Sequence, residues 1–412
     1  MKRSKVKYIG TYLNGFAFKL NHWNQNEEGL PILRIQNLTN SDKNSNYCNA
    51  DDIPKKYIVK NGDILISWAA TLDAFRWSGG NAYLNQHIFL AFPSKDVDKD
   101  FFFWLMKKTM ADFEGANKHG IMMQHLTLQE FGNAEVMLPS MSQQQKIAQY
   151  LNRQIKKIDV TIEKSNLQLS ALSSYRQSLI TRAVTKGLDP NVEMKDSGVE
   201  WIGSIPREWK TSKISFVSDV TLGKMLCPRQ TDSEQTLETY LCAGSISWDG
   251  VKDYIKEMRF SSKEKSELLL IAGDVLVVEG GAGFGMTTLY KGEHSPCYFQ
   301  NSIIRVRGHH NVMTSDFINY WMRFTYTAYL KTVCNEATFS HYTKEKVSET
   351  PILVPPLNEQ KKIADFCKLV DERVKTICAG IENQISKLNE YRSSLISAAV
   401  TGQLAIDEEA SA

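Results

Sequence analysis

Two stretches decide how this chain is organised: Leu138-Pro139-Ser140-Met141-Ser142-Gln143-Gln144-Gln145-Lys146-Ile147-Ala148 and Val354-Pro355-Pro356-Leu357-Asn358-Glu359-Gln360-Lys361-Lys362-Ile363-Ala364. The second repeats the first 216 residues later, and the same offset lays Tyr175-Arg176-Gln177-Ser178-Leu179-Ile180 on Tyr391-Arg392-Ser393-Ser394-Leu395-Ile396 without a gap. Self-similarity at a fixed spacing marks a duplicated unit. Upstream the repeat is fainter. Asn61-Gly62-Asp63-Ile64-Leu65-Ile66 matches Ala272-Gly273-Asp274-Val275-Leu276-Val277 at an offset of 211, and Lys2-Arg3-Ser4-Lys5-Val6 matches Lys210-Thr211-Ser212-Lys213-Ile214 at 208. The offset grows along the front part, so the second copy carries short loop insertions there while its back part keeps register.

Behind each Pro-bounded stretch a long helix is predicted, with Ser142 and Asn358 as N-caps. Apolar residues recur at Leu151, Ile155, Ile158, Ile162, Leu169, Leu172 and Leu179, and again at Val374, Cys378, Ile381, Ile385, Leu388 and Leu395. Steps of three and four are the seam of a coiled coil. About 43 residues give a helix of roughly 65 Å, and one narrow stripe needs a partner to be stable. Net charge is +5 over residues 142–190 and −2 over 358–412, which favours pairing the two helices with each other. An antiparallel pair would relate the copies by a pseudo-twofold axis.

In the front parts, β-rich runs at Asp63–Trp68 and Asp274–Val278 follow Asn-Gly and Ala-Gly turns. Helices are predicted at about Asp100–Phe113 and Ser315–Thr332, so the fold class is α+β. The expected divisions are a first globule over 1–141, a helix over 142–186, a linker over 187–209, a second globule over 210–357, a helix over 358–402 and a tail over 403–412. The linker is punctuated by Gly and Pro, and Trp201 and Trp209 suggest that it packs.

Hydrophobic residues at 42% and aromatics at 10% are enough for buried cores. No apolar run approaches the ~20 residues of a membrane span, and the basic N-terminus lacks the apolar stretch of a secretory signal; a cytoplasmic location is expected. The seven cysteines are scattered without a Cys-x-x-Cys pair, and they read as core thiols.

Catalytic signatures are absent from the sequence: there is no Asn-Pro-Pro-Tyr-like methylating motif and no Gly-Lys-Ser/Thr phosphate loop. Gly280-Gly281-Ala282-Gly283-Phe284-Gly285 follows an apolar strand but fails the dinucleotide spacing at Met286, and the first copy has Ala69-Ala70-Thr71-Leu72 there. It reads as a recognition loop, with a nucleotide site as the alternative. His125 and His341 pair across the repeat but have no ligand cluster at metal spacing. No catalytic residue and no metal ligand are assigned.

The chain resembles the specificity subunits of type I restriction-modification systems over almost all of its length. The residues that carry the resemblance are the two Pro-bounded stretches, the Tyr-Arg-x-Ser-Leu-Ile sequences at Tyr175 and Tyr391, and Gly198-Val199-Glu200-Trp201-Ile202-Gly203-Ser204-Ile205-Pro206-Arg207-Glu208-Trp209. The resemblance implies two target-recognition domains that each read half of a split double-stranded DNA sequence, with the paired helices as a ruler. It also implies two methyltransferase subunits that bring S-adenosylmethionine and motor-nuclease subunits that use ATP and Mg, while this chain holds no cofactor and is not an enzyme. No copy of the tryptophan-bearing linker precedes the first domain, so contacts of that segment are expected in the second half alone.

A reader of this kind uses Arg and Lys on phosphates and polar loop residues on base edges. The first-domain candidates are Asn14, Lys19, Arg34, Asn37, Trp68, Arg76, Lys118, His119, Gln124 and His125. Those of the second are Lys224, Arg229, Ser245, Trp248, Phe284, Thr287, Asn335, Thr338, Ser340 and His341. Tyr175-Arg176 and Tyr391-Arg392 fit either a docking surface for partner subunits or packing within the chain. Two other functions compete: a nucleotide-binding enzyme half built on the glycine loop, and a coiled-coil scaffold with no nucleic-acid role.

Overall fold

The computed structural model describes residues 1–24, 27–39, 45–49, 53–117, 126–226, 235–330 and 341–406. It divides into two compact units, Met1–Leu167 with Ile381–Ala412, and Gln168–Gly380. Both divisions fall within the long helices, Met141–Lys186 and Leu357–Val400. Each unit therefore combines one globule, the proximal half of its own helix and the distal half of the other helix.

In the first unit, a four-stranded antiparallel sheet runs in the order Gly10–Asn14, Ile88–Pro93, Ile64–Ser67, Asp73–Arg76. A second sheet has the order Asn46–Cys48, Leu30–Leu33, Ala82–Leu84, Ile58–Val59, and Lys2–Lys5 pairs with Glu135–Leu138 beside the start of the long helix. The second unit repeats the four-stranded sheet as Ser218–Leu222, Ile303–Gly308, Val275–Val278, Thr287–Leu289, and the strand pair as Lys210–Lys213 with Pro351–Val354. Its smaller sheet has three strands, Lys256–Phe260, Thr236–Leu241 and Tyr298–Phe299. The central strands Ile64–Ser67 and Val275–Val278 are buried at every position. Each is entered by the same turn. Gly62 (φ +85°) and Gly273 (φ +100°) occupy the left-handed region, and the following Asp63 and Asp274 carboxylates accept the Lys60 and Ile271 backbone N–H.

The helix expected near Asp100–Phe113 spans Lys99–Asn117 and covers one sheet face through Phe101, Phe102 and Met106, all with no exposed area. Its counterpart, Ser315–Thr325, ends in a wider π turn at Tyr326–Leu330. The long helices begin one residue before their expected caps. Ser140 rather than Ser142 caps the first, sharing bonds with Gln143, and Pro356 rather than Asn358 precedes the second, its carbonyl accepting the Glu359 and Gln360 N–H. Pro139 and Pro356 fix the chain entering the two helices, so the first free N–H groups lie just behind them.

Within each unit the two helix halves run antiparallel. Leu151, Ile155 and Ile158 share a core with Leu395, Ile396 and Ala399, and Ile180, Ala183 and Val184 share one with Ile363, Ala364 and Cys367. The linker packs as expected. Trp209 is fully buried and donates to Glu359 at 2.9 Å, while Trp201 lies against Trp321, Phe324 and Tyr329. In the first unit Leu404 and Ile406 pack on the core behind the second helix, and Met1 lies against Gly402. The segment after the helix thus docks in both halves, although only the linker carries tryptophans.

Candidate nucleic-acid interface

In the first unit three chain segments converge at the exit of the central strand. Trp68, just past Ile64–Ser67, donates its indole N–H to Asn14 Oδ1 at 3.2 Å and packs on His87 and Phe89, with ring centroids at 5.3 and 5.9 Å. The Trp68 N–H bonds the His87 carbonyl at 3.4 Å, and the Trp68 carbonyl accepts from Leu126 at 3.1 Å. Asn14 and Trp68 are therefore held together beside Leu126. His87 and the adjacent Gln86 have ring and amide nitrogens 3.2 Å apart.

The second unit rebuilds this frame with other side chains. The Glu279 N–H bonds the Ser302 carbonyl at 3.0 Å and the Glu279 carbonyl accepts from Tyr342 at 2.7 Å, bond for bond the pattern around Trp68. Here the converging residues are the glycine loop with Phe284, whose ring centroid lies 6.3 Å from that of Tyr342, and His341. A Cβ on Gly280 would come within 2.7 Å of the His341 ring, and one on Gly285 within 2.7 Å of Tyr326. The glycines serve close packing of chain on chain. The loop leads into the strand Thr287–Leu289 and not into a helix, so it lacks the helix N-terminus on which a phosphate cradle depends.

Other expected contacts are committed to the fold. Ser245 is fully buried, its hydroxyl accepting from the Cys242 N–H and donating to the Tyr254 carbonyl; Thr287 is fully buried and donates to the Gly285 carbonyl. Lys224 is paired with Glu264 at 2.6 Å and lies over Phe260. Arg76 is paired with Asp100 at 3.0 Å over Phe103, on the helix-covered side of the sheet. None of these four joins the loop surface. Lys19 is exposed, its backbone bonded to His22, whereas Arg34 and Asn37 cluster at Trp23 and Ser45 near the smaller sheet. Trp248 packs on Tyr326 with ring centroids 5.0 Å apart, the ring that Gly285 lies against, and with Arg176 and Arg323 it lines a cavity of about 210 Å³. Lys118, His119, Gln124, His125, Arg229, Asn335, Thr338 and Ser340 lie outside the described residues.

The Tyr-Arg pairs divide in role. Arg176 bonds Asp371 at 2.7 Å and Arg392 bonds Asp159 at 3.0 Å, each across the helix pair of its unit, while Tyr175 and Tyr391 are 60% and 55% exposed. Arg323 and the Tyr320 hydroxyl converge on the same Asp371. Sequence reading missed the glutamines that set each globule on its helix. Gln144 accepts from the Asp98 N–H and donates to the Asp96 and Pro139 carbonyls, and Gln360 does the same with Thr314, Val312 and Pro355. Both are buried, and the repeat that aligned them was the available signal. Among the described residues no group of three or more His, Cys, Asp or Glu side chains is placed to hold a metal ion, and no helix is long and apolar enough to cross a membrane.

The chain is thus a duplicated α+β globule with one long helix per copy. Residues 1–170 and 206–387 match the type I restriction modification DNA specificity domain. The chain belongs to the family of type I restriction-modification specificity subunits. Relatives include the type I restriction enzyme EcoBI specificity subunit of Escherichia coli, 20% identical over 98% of this chain and 86% of the relative. Another is the MjaVIII specificity subunit of Methanocaldococcus jannaschii, 22% identical over 85% and 81%. The fold is shared with a chain from a structural study of complex assembly and conformational transition of the type I R-M system, with a TM-score of 0.71 at 12% identity over 98% of each chain. The HsdS subunit from Thermoanaerobacter tengcongensis superposes with a TM-score of 0.51 at 13% identity, over 98% of this chain and 97% of that one.

Proposed function

We propose that each unit reads one half of a split double-stranded DNA target through its loop surface, and that the chain carries no reaction of its own. The observation that supports this is a shared backbone frame bearing unlike side chains: Trp68, His87 and Leu126 in one unit, Glu279, Ser302 and Tyr342 at the equivalent places in the other. One frame with two sets of readers suits two different half-sites. In this reading two modification subunits bring S-adenosylmethionine and methylate the DNA, motor-nuclease subunits bring ATP and Mg, and the complex works in the cytoplasm. Lys19, Lys118 and Arg229 are assigned to phosphates; Asn14, Trp68, Phe284 and His341 are assigned to bases.

Binding of the chain to a DNA carrying its target tests the reading. Neutralising several phosphates should cost two or more orders of magnitude in affinity between about 50 and about 200 mM salt. Affinity that does not change with salt would support the scaffold instead. Binding of S-adenosylmethionine or ATP by the chain alone at millimolar ligand would support the nucleotide-site alternative.

A further inference from the structure

A four-residue helix opens each globule, Val6–Ile9 in the first unit and Ile214–Val217 in the second. Both are held alike. The first residue donates its N–H across to Ala134 or Thr350 at 3.0 Å, and the first and fourth side chains are buried. The third position is the outward one, and both copies place an aromatic ring there: Tyr8 is 69% exposed and Phe216 is 71% exposed. The preceding residue differs, Lys7 against Ser215, and so does the residue four further on, Tyr12 against Val220. The fold needs only the buried pair, so a ring kept in water at the same place in both units calls for an occupant common to both.

The readings of DNA available to such a ring do not fit both copies. In the reading proposed above the two half-sites carry different bases, and the phosphate backbone that they share takes hydrogen-bond donors, which Phe216 does not have. Two copies of one protein would be identical at both units. Large rings are the side chains that act as anchors in protein interfaces. Exposed Lys2 and Lys210 lie on the strands that lead into the two helices and favour an acidic rim on the partner, while Lys213 is already paired with Glu349. The units match in a second respect, since the first also exposes Tyr391 and the second Tyr175.

We propose that Tyr8 and Phe216 each anchor one copy of the same modification subunit, entering an apolar pocket rimmed by acidic side chains. The proposal rests on the reading of the chain as the specificity subunit of such a complex. The test uses the full chain co-purified with the modification subunit encoded beside it, with stoichiometry read by native mass spectrometry and affinity by titration. Tyr8→Ala or Phe216→Ala should each weaken one of two sites on the order of 30-fold and leave a complex with a single modification subunit. The double variant should weaken both sites. Tyr8→Phe and Phe216→Tyr should assemble normally, and circular dichroism reports whether each variant is folded. Normal assembly of the folded double variant would overturn the proposal while the functional reading stood. Loss of DNA affinity by the double variant with assembly intact would overturn it in favour of a wedge into DNA. A wild-type chain that takes up no modification subunit would overturn the functional reading itself.

Discussion

Gln144 and Gln360 each satisfy one backbone N–H and two backbone carbonyls at the place where a globule meets its helix. Truncation to alanine leaves those groups partnerless in a buried site, at about 1–3 kcal/mol for each group that water cannot reach. Gln144→Ala and Gln360→Ala should each lower stability by about 2–4 kcal/mol in chemical denaturation, and a loss below about 0.5 kcal/mol would remove the glutamines from this role. Glu264 gives a pH-dependent case. Burial opposes its ionisation, but Lys224 at 2.6 Å and the Ser261 N–H at 2.8 Å outweigh that and hold its carboxyl below the usual carboxylate value. A depressed carboxylate contributes stability that is present above its unfolded value and lost as pH falls through the folded one. Glu264→Gln should therefore narrow the stability difference between neutral pH and pH about 3 relative to wild type, as read from denaturation midpoints. Lys224 shows why single site residues were hard to read. A lysine that binds phosphate and one that closes an ion pair over Phe260 are the same letter, and Glu264, 40 positions away, decides between them.

The helix pair is the element most legible in the sequence, because a seam at steps of three and four is a local pattern. Leu151, Ile155, Ile158, Val374 and Leu395 are indeed buried on it. Ser165 lies on the same seam with 4% exposure and went unread, since a search for apolar residues passes over a serine. The caps were misplaced for a related reason: Ser140 and Ser142 are equally good cap residues, and the choice depends on where the proline-led strand delivers the chain. The cross-helix ion pairs separate buried from exposed charge. Asp371 serves Arg176, Arg323 and Tyr320, with Arg323 16% exposed, whereas among the described residues Asp159 serves Arg392 alone, with both side chains more than a third exposed. Asp371→Asn strands two arginines in a partly dry site and should cost about 1–3 kcal/mol. Asp159→Asn should cost less than about 1 kcal/mol. Equal effects in urea titrations would contradict this assignment.

At the scale of the whole molecule, two copies were visible from the Pro-bounded stretches and the Tyr-Arg sequences, and the family match covers both copies. The loop surface was legible only in outline. Trp68, Asn14, Phe284 and His341 were singled out, but their grouping with His87 depends on strands that meet only in the folded sheet, beyond the reach of local pattern. The glycine loop is similarly ambiguous in sequence, because the rings of His341 and Tyr326 that lie against Gly280 and Gly285 are distant in the chain. The central claim, that each unit reads its own half of one split target, is tested most directly by sequencing N6-methyladenine in DNA exposed to this chain assembled with its modification subunit, before and after exchange of residues 1–141 for the corresponding domain of a relative. The account predicts two short defined halves around an unspecified spacer of fixed length, with only one half altered by the exchange. A single continuous motif, or a change in both halves, would contradict it.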